Sequence, residues 1–405
     1  MNVAIIGGGA AGFFSALSVK EHHPDAEVVI FEKSKKVLSK VKISGGGRCN
    51  VTNGTHSIST LSKAYPRGGA FLKKLFPIWS TRETMEWFES RGVALVVQED
   101  LHVFPRSQDS QSIIDCFLRE CRKNKVEIKT SHGIKALHKV GDQFELTFID
   151  SAIQSQTFDK VIVTTGGSPK RRGLEWLETL GHQIEDPVPS LFTFNMPKDP
   201  ICELMGIVNE KTMVTIQGSK LKSEGPLLIT HWGMSGPAII VLSAFGARLL
   251  NDMNYEFTVQ VNWVNEGNQE SVRSAIQEII AEHPRKLLTN VRPYYLKDRL
   301  WQHLLRKADF PGKKTWDELG KKGLNKVVTL LTNDTYAVKG KTTFKEEFVT
   351  CGGVSLKSIH PKTMESKEVE GLYFAGEVLD IDGITGGYNF QAAWTTAYIA
   401  GKLAE

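Results

Sequence analysis

The first thirty-two residues constrain the fold more than any other stretch. Val3-Ala4-Ile5-Ile6 is a short buried-type run, Gly7-Gly8-Gly9-Ala10-Ala11-Gly12 follows at once, and a helix-compatible segment continues to Glu21. Glu27–Phe31 is a second β-branched run, and Glu32 stands at its end. Strand, G-x-G-x-x-G turn, helix, strand and acid in this order make a dinucleotide-binding βαβ unit. Gly7 permits the tight turn, Gly9 lets backbone approach a pyrophosphate, and Gly12 allows the helix to pack closely on the strand. The first helical N–H groups, at the positive end of the helix dipole, then meet the phosphates. Glu32 accepts from ribose hydroxyls and repels a 2′-phosphate, so the site suits FAD or NAD better than NADP.

The rest of the 405 residues is enough for two to four domains, and 41% hydrophobic with 23% charged residues describes a folded chain rather than a disordered one. The longest apolar region, residues 236–250, contains Arg248 and falls short of the roughly 20 residues that cross a bilayer. No secretory signal precedes Val3, so a cytoplasmic location is expected. Cys49, Cys116, Cys121, Cys202 and Cys351 are odd in number and include no C-x-x-C pair, which argues against a disulfide framework or a metal site.

Helix and strand alternate through the first 165 residues, with helices expected at Thr81–Arg91 and Ser110–Lys123 and strands at Val126–Lys129, Gln143–Phe148 and Val161–Thr164. A strand-rich stretch follows, with one apolar helix after Gly236. Helices are expected at Glu270–Glu282, Pro293–Lys307 and Trp316–Leu331, then short strands near Tyr336–Val338 and Glu347–Val349, and a last helix from about Phe390 to Leu403. Residues 268–333 hold 13 Lys/Arg against 7 Asp/Glu, a local excess of +6 in a chain whose net charge is +5. Such an excess attracts polyanions or covers a solvated helical face. Trp301, Trp316, Tyr294 and Tyr295 lie among these cations, where they serve either base stacking or the segment's own core.

Three further segments bear on the choice between FAD and NAD. Lys40-Val-Lys-Ile-Ser-Gly-Gly-Gly-Arg-Cys-Asn-Val-Thr-Asn53 is a glycine-rich loop with Arg48. Lys160-Val-Ile-Val-Thr-Thr-Gly-Gly167 resembles the strand-to-Thr-Gly crossover of two-dinucleotide flavoproteins. Gly371-Leu-Tyr-Phe-Ala-Gly-Glu-Val-Leu-Asp380, with Gly383-Ile-Thr-Gly-Gly-Tyr-Asn-Phe-Gln-Ala-Ala393, resembles a C-terminal FAD box. With Leu180-Gly-His-x-Ile184, Thr230-His-x-Gly-x-Ser-Gly-Pro-Ala238 and Thr350-x-Gly-Gly-Val354, the chain resembles, end to end, the HI0933-like flavoprotein family, the BaiN/RdsA family of NAD(P)/FAD-dependent oxidoreductases. The loop Ser168-Pro-Lys-Arg-Arg172 departs from the family pattern in being shorter and more basic.

The resemblance implies an α/β fold: a Rossmann-like, glutathione-reductase-type FAD-binding domain from residues 1–190 and 350–405, an inserted β-rich domain at 191–267 and 334–349, and a small basic helical domain at 268–333. It implies that Gly7, Gly9, Ala10, Ala11 and Gly12 hold the pyrophosphate, and Glu32 with Lys33 the adenosine ribose. Lys40, Ser44, Gly45, Gly46, Arg48, Cys49 and Asn50 approach the diphosphate or flavin. Ile134 meets adenine through its backbone, and Thr165 and Gly166 follow the crossover strand. Gly376, Glu377 and Asp380 line the ribityl chain, and Gly386, Gly387, Tyr388, Asn389 and Phe390 set helix N-terminal amides against the flavin pyrimidine. A dipole there stabilises a reduced, anionic flavin.

For catalysis, His231 and Tyr388 are candidate proton donors and Cys49 a candidate reactive thiol, its pKa lowered by Arg48; each also reads as a packing residue. The absence of a second G-x-G-x-x-G makes NAD(P)H a transient reductant rather than a second resident dinucleotide. The family's substrates range from a uridine in large-subunit ribosomal RNA to a steroid-like bile-acid intermediate and a small aminoketone. The basic segment tilts the expectation toward RNA, with a small-molecule oxidoreductase and an FAD-binding scaffold as alternatives.

Overall fold

A computed structural model describes residues 1–310, 312–342 and 349–404. The chain divides into two compact units, Met1–Ser190 with Phe344–Glu405, and Leu191–Thr343.

In the first unit, β1 (Asn2–Ile6), β2 (Glu27–Phe31), β3 (Glu127–Lys129), β4 (Lys160–Val163) and β5 (Leu372–Phe374) form a parallel sheet in the order β5-β4-β1-β2-β3. β1 is central, and Val3, Ala4 and Ile5 are fully buried. A parallel sheet covered on both faces calls for such unbroken apolar runs. Helix α1 (Ala10–His22) is buried from Ala11 to Val19, so it is enclosed on all sides rather than amphipathic. Its principal neighbour is the C-terminal helix α2 (Tyr388–Gly401). The two approach so closely that a Cβ on Gly401 would stand 2.4 Å from the Ser18 Cβ, and the Ser18 hydroxyl donates to the Tyr398 carbonyl at 2.7 Å.

Aromatic rings fill the space behind this pair. Phe14 touches Trp79, Trp87, Phe117 and Trp394 with ring centroids 4.8–6.4 Å apart. Two antiparallel sheets, Thr52–Asn53 with His102–Pro105 and Leu95–Val97, and Ile134–Val140 with Gln143–Phe148 and Gln156–Phe158, complete the unit with the pair Ile184–Ser190 and Val349–Val354. His182, in the Leu180–Ile184 motif, is buried, bonded to Ser366 at 2.7 Å and set edge-on to Phe374. It is a structural joint, and burial holds its imidazole below the usual histidine range.

The second unit is an antiparallel sheet, seven-stranded among the described residues, with the apolar helix Pro237–Asp252 and the helices Gln269–Glu282, Asp298–Lys307 and Gly320–Thr332. Strands and helices share one buried cluster, in which Val214, Ile229 and Val259 meet Val272, Trp301 and Trp316. The segment set apart by its charge therefore has no core of its own. The single helix expected at Pro293–Lys307 is divided: Tyr294 and Tyr295 take left-handed backbone angles, and the helix begins only at Asp298. The expected helix Trp316–Leu331 likewise starts late, at Gly320. The strand expected at Glu347–Val349 falls partly on residues 347 and 348, outside the described residues.

Phe14→Ala removes the ring that four others contact and is expected to destabilise the first unit by about 3–5 kcal/mol. The shift in its urea unfolding curve, followed by tryptophan fluorescence, measures this.

Candidate functional site

The glycine turn is closed by contacts that exclude side chains. A Cβ on Gly12 would lie 1.9 Å from the Gly7 carbonyl oxygen, and one on Gly7 would lie 2.4 Å from the Thr164 carbonyl oxygen. The Thr164 hydroxyl stands 2.9 Å from the Gly7 oxygen and pins the turn to the end of β4, where Thr165 and Gly166 follow. Gly9 is different. Its φ is −94°, open to any residue, yet among the described residues no atom beyond Gly9 and its chain neighbours lies within 4 Å of where its Cβ would be. That space fronts the start of α1, which has no side-chain cap and no acid in its first turn. Such a helix start is an anion site, and the cradle fits the pyrophosphate of FAD.

Glu32 lies at the lip of the turn, its carboxylate accepting from the Gly8 and Ser34 N–H groups at 2.8 Å each. Carboxylate oxygens keep further lone pairs for ribose hydroxyls. Lys33 is exposed. The His132 N–H donates to the Glu32 carbonyl at 2.9 Å, which brings the chain leading to half-buried Ile134 back beside the acid. Ala10 is half-buried, and Ala11 faces Gly376, where a Cβ would stand 2.8 Å from its own.

A second group of contacts joins the loop at residues 44–53 to the C-terminal box. Gly45, Gly46 and Gly47 follow Ser44 with φ of 57°, 67° and 83°, three successive left-handed residues. Beyond them the chain becomes a holder for α2. Thr52 bonds Gln391 at 2.5 Å, Asn53 donates to the Gly386 carbonyl at 3.0 Å, and the Trp394 indole donates to the Val51 carbonyl at 2.8 Å. A Cβ on Gly387 would lie 2.2 Å from the Thr52 oxygen, so the start of α2 sits directly on this strand. Asn389 makes two bonds to Gly383, at 2.8 and 2.9 Å, and Phe390 stacks on Trp394. Like α1, α2 begins without a side-chain cap or a first-turn acid.

Lys40 forms an ion pair with Glu377 at 2.7 Å, and Glu377 accepts from the Thr350 N–H at 2.9 Å. The Asp380 N–H donates to the Val354 carbonyl at 2.9 Å. Arg48 lies 4.1 Å above the Phe104 ring, and Asn50 accepts from the Val103 N–H at 3.3 Å. The strand His102–Pro105 therefore belongs to the site, although no sequence motif marks it. The buried Arg67–Asp382 ion pair, with Ser190 donating to Asp382 at 2.8 Å, also escaped the sequence. It fixes the residue before the Gly383 turn, and no spacing rule links partners so far apart in the chain.

The three catalytic candidates fare differently. Cys49 is fully buried, and burial pushes its thiol up to about 12, against a weaker opposing hydrogen bond with Ser44. Arg48 is turned onto Phe104 and Gly45, so of the two readings of Cys49 the packing residue fits its surroundings and the reactive thiol does not. Tyr388 is half-buried, its phenol raised by burial and hydrogen-bonded with Thr55. His231 is exposed, in the turn between the strands Lys222–Thr230 and Gly233–Ser235 of the second unit, set edge-on to Trp232.

A Rossmann-type sheet with this cradle and a C-terminal flavin box defines an FAD-dependent oxidoreductase. The family model described as the HI0933-like protein Rossmann domain matches residues 1–403, and the chain belongs to that family. It is 29% identical to the 3-dehydro-bile acid delta(4,6)-reductase of Clostridium scindens, covering 99% of this chain and 98% of the relative. It is 28% identical to the ribosomal RNA dihydrouridine synthase of Escherichia coli, covering 97% and 95%. Among solved structures it is similar in fold to the 3-ketosteroid-delta4-(5alpha)-dehydrogenase of Rhodococcus jostii, with a TM-score of 0.51, 10% identity and 98% and 96% coverage. The 3-ketosteroid delta1-dehydrogenase of Sterolibacterium denitrificans gives 0.51, 11%, and 99% of both chains.

Gly9→Ala is expected to leave the melting temperature of the FAD-free chain unchanged but to weaken FAD at least about tenfold, or 1.4 kcal/mol. Gly12→Ala, which meets protein backbone, lowers both; calorimetric melting with flavin titration separates the two. Cys49 is expected to resist iodoacetamide at pH 8 in the folded chain and to react on unfolding, because a thiol near 12 has almost no thiolate at that pH. Peptide mass spectrometry reads it site by site.

Proposed function

We propose that this oxidoreductase saturates a carbon–carbon double bond conjugated with a carbonyl, with NAD(P)H as a transient reductant, and that its substrate is a uridine of large-subunit ribosomal RNA. The reaction class is supported by the two full-length relatives, one named a ribosomal RNA dihydrouridine synthase and the other a bile acid delta(4,6)-reductase. Dihydrouridine is uridine with hydrogen added across its ring double bond, so both names describe the same change at an enone-like group. Bound FAD supplies hydride transfer. Gly9 and the start of α1 hold the pyrophosphate, Glu32 the ribose, and Glu377 with Lys40 the ribityl side. The amides opening α2 favour negative charge on the flavin pyrimidine.

The observation that carries the RNA reading is the basic excess of residues 268–333. Arg273, Lys307 and Lys326 are ion-paired there, while Arg285, Lys286, Arg292, Lys297, Lys313 and Lys314 have no carboxylate partner among the described residues. Backbone bonds of Trp316 with Lys286 and of Leu288 with Lys314 bring two of the basic runs side by side. The aromatics divide: Trp301 and Trp316 are fully buried and stacked on each other, whereas Tyr295 is 98% exposed. RNA contact here is mainly electrostatic, in the cytoplasm where ribosomal RNA resides. A small-molecule enone is the second reading, favoured by the bile acid reductase relative. An FAD-binding scaffold with little turnover is the third.

Deleting the gene is expected to remove a dihydrouridine from 23S ribosomal RNA, and the wild-type gene to restore it; mass spectrometry of the RNA measures this. In vitro, Lys286→Glu with Lys314→Glu should lower the slope of log binding constant against log salt by about 2, near one per lost phosphate contact. An unchanged dihydrouridine level with substrate binding indifferent to these charges would support the small-molecule reading.

A further inference from the structure

We infer that His102, held by Asp100, is the proton donor of this reduction. The inference rests on the function proposed above and assigns the acid that function requires.

His102 opens the strand His102–Pro105, where alternate residues share a face. Its ring lies 6.3 Å from Phe104, over which Arg48 is stacked. Its Nδ1 is 3.1 Å from the Asp100 carboxylate. Its Nε2 would stand 2.9 Å from a Cβ on Gly386, whose other close neighbour is the Tyr388 ring at 3.0 Å. Asn53, paired with His102 across the ladder, holds the Gly386 carbonyl. The glycine-arginine loop, the Gly386-Gly387 turn and the start of α2 thus converge on one imidazole. Its side chain is 30% exposed, so it packs against the site and still exchanges protons with water.

The Asp100 carboxylate fixes the orientation of the ring through Nδ1 and leaves Nε2 turned toward the Gly386 turn, the atom from which an imidazole in this setting hands on a proton. Bound reduced FAD would supply the hydride that adds at the carbon β to the carbonyl. The former π pair takes a proton at the α carbon. The Nε2–H bond of His102 breaks, its electrons remain on nitrogen, and a neutral imidazole is left with Nδ1–H on Asp100. Water restores the proton, and NAD(P)H restores the reduced flavin. Tyr388 is the poorer acid, since burial raises its phenol.

Two measurements test this. FAD is titrated into the FAD-free chain labelled with ¹⁵N-histidine, the His102 imidazole signal being identified by its loss in His102→Gln. The signal is expected to move as FAD saturates; a fixed signal while flavin fluorescence reports binding would overturn the assignment. In the second, enzyme reduced anaerobically with dithionite is mixed with a 23S ribosomal RNA transcript or with a 4-ene-3-keto steroid. His102→Gln is expected to slow reoxidation by about 10²-fold or more, with FAD affinity held within about twofold, and Asp100→Asn to slow it less. Equal reoxidation by His102→Gln and wild type would overturn His102 alone. A wild type reoxidised by neither probe would overturn the proposed function and His102 with it. Should His102→Gln not fold, the His102 signal is identified instead by its displacement in Asp100→Asn, and a signal that stays fixed while FAD binds would still overturn the assignment.

Discussion

Two helices in the first unit begin at glycines with no side chain to cap them, and much of that unit holds those beginnings in place. The start of α1 is fixed because Gly12 rides on the Gly7 carbonyl and Gly7 on Thr164. The start of α2 is fixed because Gly387 rides on Thr52 and Asn53 grips Gly386. A side chain at Gly12, Gly7 or Gly387 would strike backbone, which cannot swing aside as a flexible side chain does. Uncapped helix N–H groups seek an anion or a polar ligand, and this steric closeness holds those of α1 and α2 in place.

The enclosed character of α1 and α2 follows from the same arrangement. Helices buried on nearly every face cannot be placed by an amphipathic stripe; they are placed by small residues at their crossing, Ser18 and Gly401, and by the ring cluster around Phe14. Rigid packing behind the site keeps the turn geometry from relaxing, as an interior at crystal-like density transmits rather than absorbs displacement. The buried Arg67–Asp382 pair serves the same end at the Gly383 turn, where breaking it would strand a charge away from water.

Much of the candidate cofactor site was legible because its residues are local in sequence. Gly7 to Gly12 and Glu32 announce themselves by spacing, since a βαβ turn is built from consecutive residues, whereas the Gly386–Phe390 turn was legible through its resemblance to a flavin box. His102 and Arg67 were not legible. Arg67 acts through Asp382, far away in the chain, and although the Asp100 partner of His102 is local, the place of the imidazole beside Gly386 is set by sheet pairing with Asn53. Cys49 was left open by the sequence: adjacency to Arg48 allowed an activated thiol beside a packing residue, and a positive φ and full burial turn the two side chains to different surroundings.

The sequence by itself determined the nucleotide-binding opening, the FAD box, the change of character at residue 191 and the basic excess of 268–333, because these depend on residue type and short-range order. Tertiary structure decided which aromatics of the basic segment face inward, that its helices share the core of the neighbouring sheet, and where the helix after Pro293 starts. It also decided which titratable groups stand beside the flavin box. Burial and hydrogen-bond partners set the protonation of a thiol, a phenol or an imidazole, and those are properties of packing that no single stretch of chain contains.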